Sequence, residues 1–189
     1  MIEVGPGCSQ LPLMLAGRCA ELSSELIWID SAEMLALLPD APHVRKLPGR
    51  FPQAVQPQLH QLAGAVDAIL AYSVVQYVFA EGNVFQFLDS CLAMLAHGGE
   101  LLIGDVPNQT MRKRFFASPL GVATHQRHTG RDEPPGVQFN CLEPGQMDDG
   151  VVLALLARAR AQGFHAWVLP QATDLQMANR REDILIRRP

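Results

Sequence analysis

The sequence lacks most of the features that would assign it to a specialised class. It has four cysteines, Cys8, Cys19, Cys91 and Cys141, and no two of them form a C-x-x-C pair. No Cys/His spacing suits a zinc site. Three of the four sit in apolar surroundings, so the expectation is free, buried thiols in a reducing cytoplasm. No basic segment followed by an apolar one opens the chain, which excludes a signal peptide from the reading. The longest apolar stretch, residues 66–80, contains Asp67, Tyr72, Ser73 and Gln76 and is too short and too polar to span a bilayer. Positive charge is not in excess either. A formal net charge of −4 argues against a protein that coats nucleic acid, and no aromatic interleaving supports RNA binding.

What is present points to an ordinary globular domain. The apolar fraction of 48% offers enough surface to offset ordering entropy, so dominant disorder is excluded. A chain of 189 residues is one domain's worth. A single core of that size buries roughly 70% of the surface of its unfolded chain without help from disulfides or metals.

Apolar runs of strand length alternate with helical spacing. Ile2-Glu3-Val4 reads as a short strand stopped by Gly5-Pro6-Gly7, followed by a helix to about Leu22 with Ser9 as its N-cap. Leu26 to Asp30 is a second strand, Ser31 to Leu38 a short helix, and His43 to Leu47 a third strand. Residues 48–65 are Pro- and Gln-rich and read as loop with one or two helical turns. Val66 to Ala71 is a fourth, central strand. Asn83 to Leu95 is a helix with Val84, Phe87, Leu88, Cys91, Leu92 and Leu95 on one face, stopped by Gly98-Gly99. Glu100 to Gly104 is a fifth strand. Asp105 to Gly150 shows no clean periodicity. A helix capped by Asp148 or Asp149 runs through Ala161, and two further strands, His165 to Leu169 and Asp183 to Ile186, end the chain. The alternation implies an α/β fold with a mainly parallel sheet. The last two strands have no helix between them, which predicts an antiparallel pair at one edge. Arg180-Arg181 and Arg187-Arg188 then read as charges that protect an edge strand.

An open parallel sheet binds ligands at the carboxyl ends of its strands. The loops after Val4 and after Ala71 therefore face one crevice. Gly5 and Gly7 allow a sharp turn and a close backbone approach. A dinucleotide fingerprint wants a third glycine where this chain has Gln10. Glu3 precedes the turn, and Asp30 ends the second strand at the distance usual for a ribose-binding acid. The alternative is that both carboxylates bond loop amides. Asp105 ends the fifth strand and is the best-placed base if an acceptor must lose a proton, with capping of the turn through Pro107-Asn108 as its alternative. His125 and His128 follow in the irregular segment, where a solvated loop is the competing reading. Arg112-Lys113-Arg114-Phe115-Phe116 is either a solvated helix turn with two core aromatics or a clamp for an acidic acceptor formed by Arg112 and Arg114.

Four segments in register carry a family resemblance. Glu3-Val4-Gly5-Pro6-Gly7-Cys8-Ser9 resembles the first motif of the class I S-adenosylmethionine-dependent methyltransferases. Trp28-Ile29-Asp30-Ser31-Ala32-Glu33-Met34-Leu35 resembles their ribose-and-adenine segment, and residues 66–75 resemble the motif on their fourth strand. Residues 95–103 resemble their L-x-P-G-G-x-L turn, with His97 in place of the proline. The resemblance implies a Rossmann-like methyltransferase fold, with a seven-stranded sheet and an antiparallel last strand. It implies that S-adenosylmethionine is the cofactor and S-adenosylhomocysteine the product. Glu3, Gly5 and Gly7 would line the methionine end and Asp30 would hold the ribose. Ser31, Met34 and Phe51 would lie by the adenine, with an ordinary helix core as the alternative for Met34. Tyr72, Ser73 and Gln76 would lie near the methyl group. Residues 103–116 resemble bacterial methyltransferases of surface-saccharide pathways, which implies a small-molecule acceptor such as a saccharide derivative.

Residues 106–150 are then expected to form an irregular acceptor wall or lid within one domain, residues 1–189. The helices that precede the first strand in this family, closing over the cofactor, are expected to be absent. Two rival readings share the architecture: a non-catalytic methyltransferase-like binding subunit and an NAD-dependent oxidoreductase. The oligomer stays open, a homodimer included.

Overall fold

A computed structural model describes residues 1–189. Seven strands form one sheet in the order β3-β2-β1-β4-β5-β7-β6. They are β1 (Ile2–Val4), β2 (Leu26–Asp30), β3 (Val44–Pro48), β4 (Val66–Tyr72), β5 (Leu95–Pro107), β6 (His165–Pro170) and β7 (Arg181–Arg187). Strands β1 to β5 pair in parallel, while β7 runs antiparallel to both β5 and β6. The chain adds strands outward on one side of β1 and then, from β4, on the other, so the strand order reverses between β1 and β4, which is the switch point where a crevice opens.

Alternation along the strands separates two faces. Ile2, Val4, Ile69, Ala71, Leu101, Ile103, Ile184 and Ile186 point to one face and join a cluster of 29 buried residues. That cluster is completed by two long helices, α5 (Val84–Met94) and α8 (Asp149–Ala161). Both begin on side-chain caps. Asn83 accepts from the amides of Phe85 and Gln86, and Asp148 accepts from that of Val151, each cap contributing about 1 kcal/mol. The other face is covered more thinly. Cys19, Leu26, Trp28, Leu35 and Leu38 form a separate buried cluster under α1 (Gln10–Glu21) and α2 (Ala32–Ala36).

Four expectations are corrected. Strand β7 lies between β5 and β6, so Arg181 and Arg187 guard no edge. They pair across the ladder with Asp105 and Glu100 instead, and Arg188 donates to the Leu95 carbonyl. Residues 106–150 are half helical. Asn108 caps α6 (Gln109–Phe116), and Ser118 caps α7 (Pro119–Thr129), which ends on Gly130 in the left-handed region. Their periodicity is silent because only Lys113 is buried on α6 and only Gly121 on α7. A further helix, α4 (Val75–Glu81), follows β4 directly, after a short α3 (Gln56–Gln61). Finally, Cys8 and Cys141 are exposed, and only Cys19 and Cys91 are buried.

Candidate active site

The crevice at the carboxyl ends of β1, β2 and β4 has two adjoining parts. One, of about 660 Å³, is lined by Glu3, Gly5, Pro6, Gly7, Ser9, Leu11, Asp30, Met34, Tyr72, Ser73, Val74 and Tyr77. The other, of about 350 Å³, adds Ser31, Gly49, Arg50, Phe51, Val78, Glu81 and Phe87. Gly5, Asp30, Val74 and Tyr77 belong to both and form the divide. Ten residues are named from the sequence as cofactor-binding, and the structure shows where each lies. Glu3, Gly5, Gly7, Asp30, Ser31, Met34, Phe51, Tyr72 and Ser73 line the crevice. Gln76 does not. Its amide nitrogen donates to the Ser73 carbonyl, 2.8 Å away, and braces that turn from behind.

Glu3 is the most buried carboxylate near the crevice, 1% exposed. It sits beside Trp28 in the β1–β2 ladder, and the indole nitrogen donates to it at 2.8 Å. Burial raises its pKa from 4.5 to about 7, against the lowering effect of the Trp28 bond. A buried acid with one hydrogen bond has acceptor capacity left for a cationic ligand. Asp30 bonds loop amides, the alternative weighed for it. One oxygen accepts from Gly7 N at 3.3 Å and the other from Ser31 N at 2.7 Å, so it ties the glycine turn to the start of α2. It also faces both parts of the crevice. Gly5 must be glycine: its φ is +67°, and a Cβ there would lie 2.6 Å from Val74 Cγ2. Gly7 has φ +62° with nothing within 4 Å of where a Cβ would project, so its backbone is open to a ligand. Phe51 is held by Phe87 of α5, edge to face with centroids 5.2 Å apart, and both floor the second part.

A polar knot closes the β4 and β5 ends. Ser73 and Asp105 both adopt left-handed φ, 58° and 59°, which costs a non-glycine residue about 1 kcal/mol or more and tends to mark functional turns. Their side chains hydrogen-bond to each other, the Ser73 hydroxyl donating. Asp105 also pairs with Arg181 at 2.5 Å, and its amide donates to Asp183 at 2.9 Å. Gln171, 6% exposed, donates to Asp183 at 3.0 Å. The Tyr72 ring packs its edge against Gly104, where a Cβ would come within 2.4 Å of it. Burial, then Asp105 and Asp183, raise the Tyr72 pKa, with Arg181 opposing. Asp105 is therefore a paired carboxylate that fixes the wall of the site.

The remaining candidates lie elsewhere. His125 is edge-on to Phe116, centroids 6.2 Å apart, in a separate cavity with Arg112, and His128 is exposed on α7. Arg114 is taken by Asp149 at 2.5 Å, outside either part of the crevice. Tyr77, Val78, Arg50 and Glu81 were missed because α4, which carries three of them, shows no amphipathic signal of its own. The one cue was its position after the fourth-strand motif.

Solved structures share this fold. The CurJ carbon methyltransferase matches 98% of this chain at 15% identity and TM-score 0.61, over 47% of its own length. A SAM-dependent methyltransferase from Archaeoglobus fulgidus matches 100% of the chain and 85% of its own, at 12% identity and TM-score 0.56. The plantazolicin methyltransferase BpumL, solved with a monoazolic desmethylPZN analog and SAH, matches 100% and 75%, at 12% identity and TM-score 0.61. The chain spans about half the length of CurJ and of an O-methyltransferase-assigned protein of Nostoc punctiforme. No family model and no curated protein matches the sequence. At these identities the likeness defines a fold, the Rossmann-like methyltransferase fold with its antiparallel seventh strand. No helix is long and apolar enough to cross a membrane.

Proposed function

We propose that this chain transfers a methyl group from S-adenosylmethionine to an oxygen or nitrogen of a small-molecule acceptor. The observation that carries the reading is the glycine turn that follows the buried Glu3 and is tied down by Asp30 of the adjacent strand, all lining a two-part crevice. The residues fit the cofactor's chemistry. Glu3 and the Tyr72 face suit a sulfonium cation, Asp30 suits ribose hydroxyls, and the apolar pocket of Ile29, Phe51, Val78 and Phe87 suits a flat base. When bound, the cofactor supplies an electrophilic methyl group.

The chain's own residues then act by holding and drying. Tyr72 and Ser73 present one wall to the acceptor, and Asp105 fixes that wall through Ser73. Positioning in a water-poor site is the main source of acceleration for a displacement of this kind. Because Asp105 is committed to Arg181, an acceptor nucleophilic without a strong base fits this site best. The likeness of residues 103–116 to saccharide-pathway methyltransferases supports a saccharide derivative as acceptor.

A second reading, a binding subunit without turnover, draws on the same pairing of Asp105. It expects cofactor affinity with no acceptor consumed. Calorimetry with S-adenosylmethionine and S-adenosylhomocysteine tests the shared ground. Both are expected to bind, and Asp30→Ala is expected to weaken each by at least about tenfold, or about 1.4 kcal/mol. Unchanged affinity removes Asp30 from the site. Absence of binding by the wild type ends both readings.

A further inference from the structure

The acceptor side of the molecule carries two arginines with nothing to hold. Arg112 on α6 and Arg180 just before β7 both place their guanidinium groups over the Phe116 ring, 5.1 and 5.7 Å from its centroid. Neither forms an ion pair, and neither donates a side-chain hydrogen bond. Every other cation around them is satisfied. Lys113 pairs with Glu143 at 2.8 Å, Arg114 with Asp149, and Arg181 with Asp105 at 2.5 Å. Glu143 is the carboxylate that lines the same space, and it is engaged by Lys113 and Gln109.

Arg112 and Arg180 border a cavity of about 420 Å³ together with Asn108, Gln109, Gln146 and Arg181. Arg112 also borders a neighbouring cavity of about 260 Å³ with His125 and Gln138. Burial, then the charges of Arg112 and Arg181, push the Arg180 pKa down, since three like charges gather around this cavity. Arg181 joins this cavity to the crevice, since it lines the one and pairs with Asp105, which is bonded to Ser73 in the other. An aromatic ring that orients two free guanidinium groups is a preorganised receptor for a planar or tetrahedral oxyanion.

We propose that Arg112 and Arg180, set by Phe116, bind the carboxylate or phosphate group of an anionic small-molecule methyl acceptor and hold its other end toward Ser73 and Tyr72. This rests on the methyltransferase reading above for the word acceptor, and on the arginine geometry alone for the anion. It replaces Arg114 of the sequence reading with Arg180, whose guanidinium is free.

The test follows the arginine side-chain Nε–H resonances of the full-length protein by NMR while sodium phosphate, and separately sodium acetate, is added. Saturable shifts of Arg112 and Arg180 are expected with at least one anion, with a dissociation constant of about 1–10 mM. Arg112→Gln and Arg180→Gln should each weaken it by at least about fivefold, whereas Arg114→Gln should not. Saturation by phosphate alone assigns a phosphorylated acceptor, and by acetate a carboxylate. Shifts that do not saturate, or that survive both substitutions, overturn the anion site. A short RNA that binds more tightly and shifts surface arginines generally also overturns it. S-adenosylhomocysteine affinity, measured on the same samples, should stay within about twofold in all three variants, which also reports that they fold. If the anion saturates but the wild type binds no S-adenosylhomocysteine, the anion site stands and the acceptor role falls with the methyltransferase reading.

Discussion

At the scale of single residues, Glu3 couples protonation to stability. Its pKa is raised from 4.5 to about 7, chiefly by burial. A folded state that binds the proton more tightly than the unfolded chain gains stability from it below pH 4.5. That contribution is lost as pH rises to about 7, on the order of 3 kcal/mol in all. Glu3→Gln keeps an acceptor for Trp28 and removes the titration. We expect it to match the wild type near pH 5 and to exceed it by about 2 kcal/mol at pH 8 in thermal melts of the ligand-free protein. The same substitution should weaken S-adenosylmethionine, which is cationic, more than S-adenosylhomocysteine, which carries no sulfonium charge. Equal melts at both pH values for the two proteins would show that Glu3 titrates normally.

At the scale of elements, the helices α6 and α7 meet more closely than side chains allow. A Cβ on Gly121 of α7 would fall 1.9 Å from the Phe115 carbonyl oxygen and 2.7 Å from Phe116 Cα, both backbone atoms of α6. Gly121→Ala must therefore push α7 off α6. The expected cost is about 1–3 kcal/mol, which lowers the melting temperature by roughly 3–10 °C in a chain of this size. Cofactor affinity should hold, because neither helix lines the crevice. A melting temperature unchanged by the substitution would mean that the two helices pack less tightly than described. This pair also shows where sequence reading stops. Strands β1, β2 and β4 were legible because each joins an apolar run to a local stop such as Gly5, Asp30 or Ser73, whereas β5 was legible only in its middle, since it begins at Leu95 and Gly98-Gly99, read as a helix stop, lies within it. Helices α6 and α7 were not, because caps at Asn108 and Ser118 fix them while each buries a single residue. The position of β7 was legible only as a partner of β6, since its pairing with β5 is a contact across about 80 residues.

At the scale of the whole molecule, the two faces of the sheet are unequal. The 29-residue cluster under α5 and α8 carries the core, and the five-residue cluster packs under α1 and α2 on the other face. The crevice residues Glu3 and Asp30 thus sit on strands whose second face is lightly packed, with Trp28 as its largest buried side chain. Part of the site was legible for the same reason. The sequence places Glu3, the glycine turn and Asp30 by short-range spacing, whereas the Trp28 bond to Glu3, the Arg181 pairing of Asp105 and the convergence of Arg180 on Phe116 are made only by folding. A ligand that bridges β1, β2 and β4 joins the lightly packed side to the core side, so cofactor binding should stabilise the fold as a unit. At about 100 times its dissociation constant, S-adenosylhomocysteine should add about 2.7 kcal/mol, a rise of roughly 5–10 °C in melting temperature. NAD at the same concentration should leave the transition in place. The crevice has Gln10 where a pyrophosphate-binding turn needs its third glycine, and an apolar floor of Phe51 and Phe87 sized for a single base. Stabilisation by NAD in place of S-adenosylhomocysteine would reassign the crevice to a dinucleotide and turn the chemistry from methyl to hydride transfer.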